Sequence, residues 1–345
     1  MKVLYINYIY QKGHINFDHI HIDALIKQAG EVHLILHKDI AAQLPYPKEQ
    51  YAMVLPACFN IDSTNGIINR LLYLLTLIWI RVNISFRQYD RIILSSVEEI
   101  SLGIMPLCKN MFIICHDNAR NIGKGMKGFF LQRLSRNNTF VVFNKEMGSP
   151  FAKRNMKYQC VSHGCIQPFH SQEALDIPLV KTSYRFIIFH PSNRPNRQFI
   201  DELKSSASFL DFLQRKNILM ILRSQRPQSN PSDNCIFINQ YLTREQYQSL
   251  FLMADIILLA YPDDFENRVS GVSFECVANN KRLLLKDNPS LVYCKQFYNY
   301  DPTFDSIKQL TERISQLLEN PNARCIVKPS DLCPDYTTIL SKNHV

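Results

Sequence analysis

"YLTREQYQSLFLMADIILLAYPDDFENRVSGVSFECVANNKRLLL", residues 241–285, is the stretch on which the fold turns. Thr243 and Gln246 stand at capping-box spacing, where side chain and backbone satisfy each other at the start of a helix. That helix runs to about residue 253. "DIILLAY" (255–261) then reads as a buried strand: short, apolar and bounded by polar residues. After a polar loop, Ser270 opens a second helix with apolar residues at Val272, Phe274, Cys276, Val277 and Ala278, and "RLLL" begins another strand. One carboxylate, Glu275, sits in that helix, and such a group is costly among apolar neighbours unless something pairs with it.

The same alternation extends outward. "KVLYINY" (2–8) is an apolar strand. Asp18 is placed to cap a helix with Ile22, Leu25, Ile26 and Ala29 on one face, and Gly30 stops it. "EVHLILH" (31–37) completes a βαβ unit, so a parallel sheet is expected. Further strands are expected in "RIILSS" (91–96), "MFIICH" (111–116) and "TFVVFN" (139–144). A second series follows in "RFIIFH" (185–190), "NILMILR" (217–223) and "CIFIN" (235–239), with helices at about 196–213 and 243–253. Weakly periodic, turn-rich residues 164–183 suggest a linker. The expected division is a Rossmann-like domain over 1–165, a linker over 166–183, a second such domain over 184–330 and a tail over 331–345.

The chain of 345 residues suits two domains. Its composition, 46% hydrophobic and 20% charged, is globular. "MKVLYINYIY" lacks the pattern of a signal peptide. The ten cysteines include no CxxC pair and no zinc spacing, so reduced thiols and a cytoplasmic location are expected. Residues 1–170 carry 19 Lys and Arg against 11 Asp and Glu, whereas residues 171–345 carry 20 against 19. This asymmetry points either to an anionic partner of the first domain or to an ordinary solvated basic face. "IINRLLYLLTLIWIRVN" (67–83) holds ten uncharged residues between Arg70 and Arg81, too few for a span that needs about 20. A core helix is the favoured expectation, and a helix lying on a membrane surface is the alternative.

In open parallel sheets, ligands bind beyond the carboxyl ends of the strands. Tyr10-Gln11-Lys12-Gly13-His14 follows the first strand, and His116-Asp117-Asn118 follows "MFIIC". In the second half, Arg194 and Arg197 follow "RFIIFHP", and Arg223 ends "NILMIL". Guanidinium forks match phosphate oxygens bidentately, and the helix opened by Ser270-Gly271-Val272 offers amide groups and a positive end to an anion. Gly271 leaves room for close approach of a ligand. Together these residues suit a nucleoside diphosphate.

Residues 241–285, with "HPSNRPNRQFIDEL" (190–203), "FVVFNKEM" (140–147) and "YQCVSHGC" (158–165), resemble the group 4-like GT-B glycosyltransferases. The resemblance implies an α/β fold of two Rossmann-like domains facing a central cleft. By the same resemblance, Glu275 matches the second glutamate of an E-x7-E motif that holds the donor ribose, and Ser270, Gly271 and Val272 match the loop that meets diphosphate and sugar. Arg194 and Arg197 fall near the family's diphosphate-binding cations, at shorter spacing, and His116 matches the histidine beside the transferred sugar. Where the family has its first glutamate, Asn267 stands, with Glu266 one place away. The family's glycine after the helix is replaced by Asn279-Asn280, and the first loop keeps only Gly13. Glu275 could instead pair with Arg268 or Lys281.

The resulting expectation is a hexosyl-type, retaining glycosyltransferase that uses a UDP- or GDP-type sugar and needs no other cofactor and no metal. Its catalytic residues would be His116 and Asp117. Its donor would be bound by Arg194, Arg197, Arg223, Asn267, Ser270, Gly271, Val272 and Glu275, and its acceptor by Lys12, Gly13 and His14. The acceptor would be a glycan or a lipid-linked glycan of surface polysaccharide assembly, met at the inner, anionic membrane face, and nucleic acid is not expected as a partner. The alternatives are a sugar-nucleotide epimerase of the same fold and a catalytically idle subunit that binds a nucleotide or polyanion.

Overall fold

The computed structural model describes residues 1–9, 14–59, 65–165, 168–170, 184–240 and 242–341. Two compact units emerge: residues 1–164 with 267–269 and 332–345, and residues 165–266 with 270–331.

The sheet of the first unit contains β1 (Lys2–Ile6), β2 (Glu31–His37), β3 (Tyr51–Leu55), β4 (Arg91–Leu94), β5 (Met111–Ile114), β6 (Thr139–Val142) and β7 (Tyr158–Cys160). Its order is β3-β2-β1-β4-β5-β6-β7, and every pairing is parallel. Strand order therefore reverses between β1 and β4. The central strands are apolar on both faces, as a sheet covered by helices on both sides requires, and Val3 to Ile6 and Ile113 to Ile114 are fully buried. β3 and β7 were not expected. β3, with sequence YAMVL, is intermediate in burial at three positions, exposed at one and buried at one, and β7 has only three residues, so neither stands out as a period-2 pattern.

The second unit contains β8 (Phe186–His190), β9 (Ile218–Arg223), β10 (Cys235–Ile238), β11 (Ile256–Leu259), β12 (Arg282–Lys286) and β13 (Thr303–Phe304). The order β10-β9-β8-β11-β12-β13 is again parallel throughout, and it reverses between β8 and β11. The capping box at Thr243 is present, with Thr243 Oγ1 accepting from the Gln246 amide and Gln246 Oε1 from the Thr243 amide. Asn280 takes φ 48°, the left-handed turn that Asn tolerates where glycine is otherwise usual.

Three local expectations are corrected. The helix at 196–213 is two helices, Arg197–Ser205 and Ala207–Arg215, with Ser206 between them in a non-helical conformation. Asp18 is not a cap: the helix begins earlier, at Ile15, and Asp18 is a fully buried acceptor within it. The helix Gly66–Asn83 is not a core helix. Only Thr76, Leu77 and Ile80 are buried, and Ile67, Leu71 and Val82 face solvent.

The C-terminal segment is bound to the first unit by specific hydrogen bonds. Gln28 donates to the Pro334 carbonyl and accepts from the Tyr336 amide, at 2.8 and 2.7 Å. Arg91 donates to the carbonyls of Ile339 and Ser341. Tyr336 is fully buried with its hydroxyl 2.6 Å from His21 Nδ1.

Candidate functional site

At the reversal point of the first unit, the chain leaves β1 through Asn7 and β4 through Ser95. Both are tied to Asp18. Tyr5 Oη and Ser95 Oγ donate to Asp18 Oδ1 at 2.7 and 2.5 Å, and Asn7 Nδ2 donates to Oδ2 at 2.7 Å. Burial raises the Asp18 pKa, and the three hydrogen bonds oppose that rise. The carboxylate thus braces two strand ends from a helix packed beneath them.

His116 lies just beyond β5, half-buried, with Nε2 2.9 Å from the Ser95 carbonyl. A carbonyl only accepts, so Nε2 carries the proton and Nδ1 is left as the acceptor. The ring stands 4.3 Å from that of His14 and 4.6 Å from that of Phe17, centre to centre. His21 and His163 complete the cluster around Phe17 and Phe143. Burial pushes all four imidazoles down, His21 to about 3 and His163 to about 4, and His14 adds to the shift of His116. These histidines are neutral at physiological pH, so His116 can orient a hydroxyl but does not offer a charge. Asp117, half-exposed, pairs with Arg120 at 3.1 Å. Of the expected acceptor residues, His14 joins the cluster, whereas Lys12 and Gly13 lie outside the described residues.

A second buried carboxylate lies nearby in sequence. Glu99 accepts from Asn118 and Asn121, each at 2.7 Å, and pairs with Lys127 at 3.2 Å. Burial raises its pKa, but the amide hydrogen bonds and the lysine more than offset this and the net shift is downward. Asn118 therefore fixes the loop after His116 in place.

In the second unit, β8 and β11 diverge at the reversal point. The turn between β8 and the next helix is held by Asn196, whose amide donates to the Ala260 carbonyl and whose side chain caps that helix at Phe199 and donates to Asp263. Arg194 and Arg197 project from this turn and are exposed. Arg223 ends β9 and donates to the Pro191 carbonyl at 3.1 Å, which ties it to the same turn. The three arginines thus stand at the carboxyl ends of β8 and β9 or in the turn that follows.

Beyond β11, Ser270 starts the helix Gly271–Ala278. Ser270 is buried, its hydroxyl 2.8 Å from Tyr261 Oη and its amide donating to Tyr293 Oη at 3.0 Å. Its amide is thereby engaged, and the next two amides, of Gly271 and Val272, are the ones without acceptors inside the helix. A Cβ at Gly271 would meet no atom within 4 Å, so the protein's own packing does not demand glycine there. Asn267 takes φ 52° in the loop before this helix, a conformation open to Asn.

Glu275, one turn further, accepts from Tyr247 Oη at 2.5 Å. Lys281 is engaged elsewhere: its ammonium donates to the carbonyls of Leu252 and Ala254 at the end of the preceding helix. Burial lifts the Glu275 pKa to about 7, against the Tyr247 hydrogen bond. Tyr247 and Tyr293 were not among the residues expected from sequence. Tyr247 lies four residues after Thr243, so the capping box fixes its position on the helix. Tyr293 lies in the 3-10 run Pro289–Phe297, which has no periodic pattern to place it.

Among the described residues, no cluster of three or more His, Cys, Asp or Glu side chains is arranged to hold a metal ion. No family model matches the chain, and no curated protein matches it at a significant level. Solved structures do share its fold. An alpha,alpha-trehalose-phosphate synthase (UDP-forming) from Burkholderia vietnamiensis superposes with TM-score 0.58 at 7% identity, over 93% of this chain and 92% of that one. The UDP-GlcNAc 2-epimerase from Methanocaldococcus jannaschii gives 0.58 at 13% identity, over 95% of each. A UGT of Arabidopsis thaliana complexed with quercetin gives 0.53 at 12% identity, over 93% and 90%. The chain has the GT-B fold, an α/β architecture with two parallel sheets.

Proposed function

We propose that this protein is a glycosyltransferase that moves a sugar from a UDP- or GDP-type donor to an acceptor hydroxyl. The observation that carries the proposal is the state of Glu275. It is a half-buried carboxylate with a tyrosine as its hydrogen-bond partner, close to a helix start fronted by open space at Gly271. A ribose diol could donate two hydrogen bonds to it, which would offset the cost of its burial. The arginines beyond β8 and β9 are of the type that meets a diphosphate, and with the amides of Gly271 and Val272 they would stabilise charge growing on the leaving group. Val272 would line the sugar subsite of the second unit.

In this proposal His116 orients a sugar hydroxyl through Nδ1 while its Nε2–H is fixed by Ser95. Transfer is of hexosyl type with retention of configuration, and the product belongs to surface polysaccharide or lipid-linked glycan assembly. No cofactor beyond the nucleotide sugar is invoked, and the enzyme works in the cytoplasm.

Incubation with UDP- and GDP-sugars, followed by product analysis, tests the proposal. Nucleotide release with a sugar on an acceptor or on water supports it. An epimerised donor would assign the protein to the epimerase chemistry of the same fold. Binding without turnover would make it a nucleotide-binding subunit.

A further inference from the structure

We infer that the first unit docks on an anionic lipid surface through the helix Gly66–Asn83 and the helix Gly125–Ser135. The inference is independent of the glycosyl-transfer proposal, because it rests on a different part of the molecule.

On the first helix, Ile67, Leu71, Leu75, Ile78, Trp79 and Val82 are 41–78% exposed. At 3.6 residues per turn these six fall within about 120° of arc, so they form one stripe and not scattered positions. The opposite side is committed to protein: Leu77 and Ile80 belong to the buried core, and Arg70 pairs with Glu98. The helix therefore lies along the unit with a lipid-like face outward, which differs from a spanning segment. Isolated exposed apolar residues need no explanation, but a continuous stripe of six does.

The stripe continues sideways. The helix packs on Glu99–Ile104, which in turn packs on Gly125–Ser135. The missing side chain of Gly103 makes room for the Phe130 ring, which seats the third helix closely. Ile104 is exposed on the middle helix, and Met126 and Phe129 are exposed on the third.

Charge selects the occupant. Residues 63–89 contain three arginines and no Asp or Glu, and residues 118–145 contain six Lys and Arg and no Asp or Glu. Both helices that present apolar side chains thus lie in acid-free, basic runs. A second copy of the chain would bring like charges together, while a protein partner would have to supply both an apolar surface and acidic residues. An anionic bilayer supplies both at once: phosphates for Arg and Lys at the rim, and acyl chains for the stripe, with long cationic side chains reaching up to headgroups. Tryptophan prefers that boundary, and Trp79 stands in the stripe.

Trp79 is also the sole tryptophan of the chain, so its emission reports directly on the proposed contact. The full-length protein is mixed with vesicles of phosphatidylcholine, alone or with phosphatidylglycerol, and with the same lipids carrying brominated acyl chains. Anionic vesicles at low salt should shift the emission to the blue, and bromine should quench it. Raising salt to about 0.5 M should weaken binding by about tenfold or more, as screening shortens the reach of exposed charge. Leu71→Gln with Leu75→Gln should abolish quenching, and Arg133→Gln with Arg136→Gln should weaken binding while leaving quenching intact at saturation. Circular dichroism of each variant confirms folding. Absence of bromine quenching with anionic vesicles at low salt overturns the inference. So does a vesicle-free dimer that buries Trp79, which would give the face to a second copy. Unchanged binding of the Leu71/Leu75 variant would also overturn it, because the basic residues alone would then account for the attraction.

Discussion

The two sheets reverse their strand order in the same way, yet their polar groups at the reversal point behave differently. In the first unit they satisfy one another. Asp18 takes three donors, His116 is pinned to Ser95, and four neutral imidazoles pack against two phenylalanine rings. In the second unit the charged groups are held at one point and presented at another. Arg223 donates to the Pro191 carbonyl, Arg194 and Arg197 are exposed, and Glu275 meets a tyrosine hydroxyl. The same architecture thus yields polar groups satisfied within the protein in one unit and cations presented to solvent in the other. The difference lies in which residues follow the strands.

The largest expected effect of a mutation is on stability, in the first unit. Asp18→Ala would leave the Tyr5, Asn7 and Ser95 donors without their acceptor in a fully buried place. Each such group costs roughly 1–3 kcal/mol, so a loss of about 3 kcal/mol or more is expected. Chemical denaturation measures it. A change below about 0.5 kcal/mol would be that of an ordinary surface site, and the contrast between the units would fail.

The second unit should respond in binding instead. Glu275→Ala is expected to weaken nucleotide affinity by about 10- to 100-fold, the worth of hydrogen bonds to a charged group. Stability should not fall with it in the same measure. The folded-state pKa of Glu275 is raised to about 7, so the carboxyl favours the fold while protonated, and that contribution is lost as pH rises through 7. At pH 8 the unliganded Glu275→Gln protein should therefore be at least as stable as the wild type, whereas Asp18→Ala should be far less stable. Thermal unfolding of the two variants side by side tests the comparison.

Smaller effects are expected at the arginines. Arg194 is exposed, whereas Arg223 donates to the Pro191 carbonyl, so Arg194→Ala should leave stability within about 0.5 kcal/mol. Turnover of donor should fall by about tenfold in each, the scale of one lost charge-assisted hydrogen bond of about 1.5 kcal/mol. Normal turnover in either variant would return that arginine to the surface.

How much of this was legible in sequence follows from the physics of each element. The strands buried on both faces, such as Glu31–His37 and Ile218–Arg223, were readable because they are continuous apolar runs. The edge strand Tyr158–Cys160 was not, being too short for such a run, and Tyr51–Leu55, YAMVL, is an apolar run whose five residues show no alternation to mark it as an edge strand. The helix 66–83 was read as core from its apolar content. Hydrophobicity does not say which face is covered, and here the covered face is the narrower one. Asp18 looked like a cap because caps and buried acceptors draw on the same residue type. Glu275 was visible as a misfit in an apolar helix, but its partner Tyr247 lies 28 residues away and only the fold brings them together.

The central claim is that Glu275 binds the ribose of a nucleotide in its ionised form, and calorimetric titration of UDP and GDP across pH tests it most directly. The wild-type protein should bind one of the two more tightly as pH rises from about 5.5 to 8, by up to tenfold per pH unit below the pKa and levelling above it. The Glu275→Gln variant should bind weakly with no such dependence over that range. Equal affinity of the two proteins at every pH, or wild-type affinity that falls as pH rises through 7, would contradict the account.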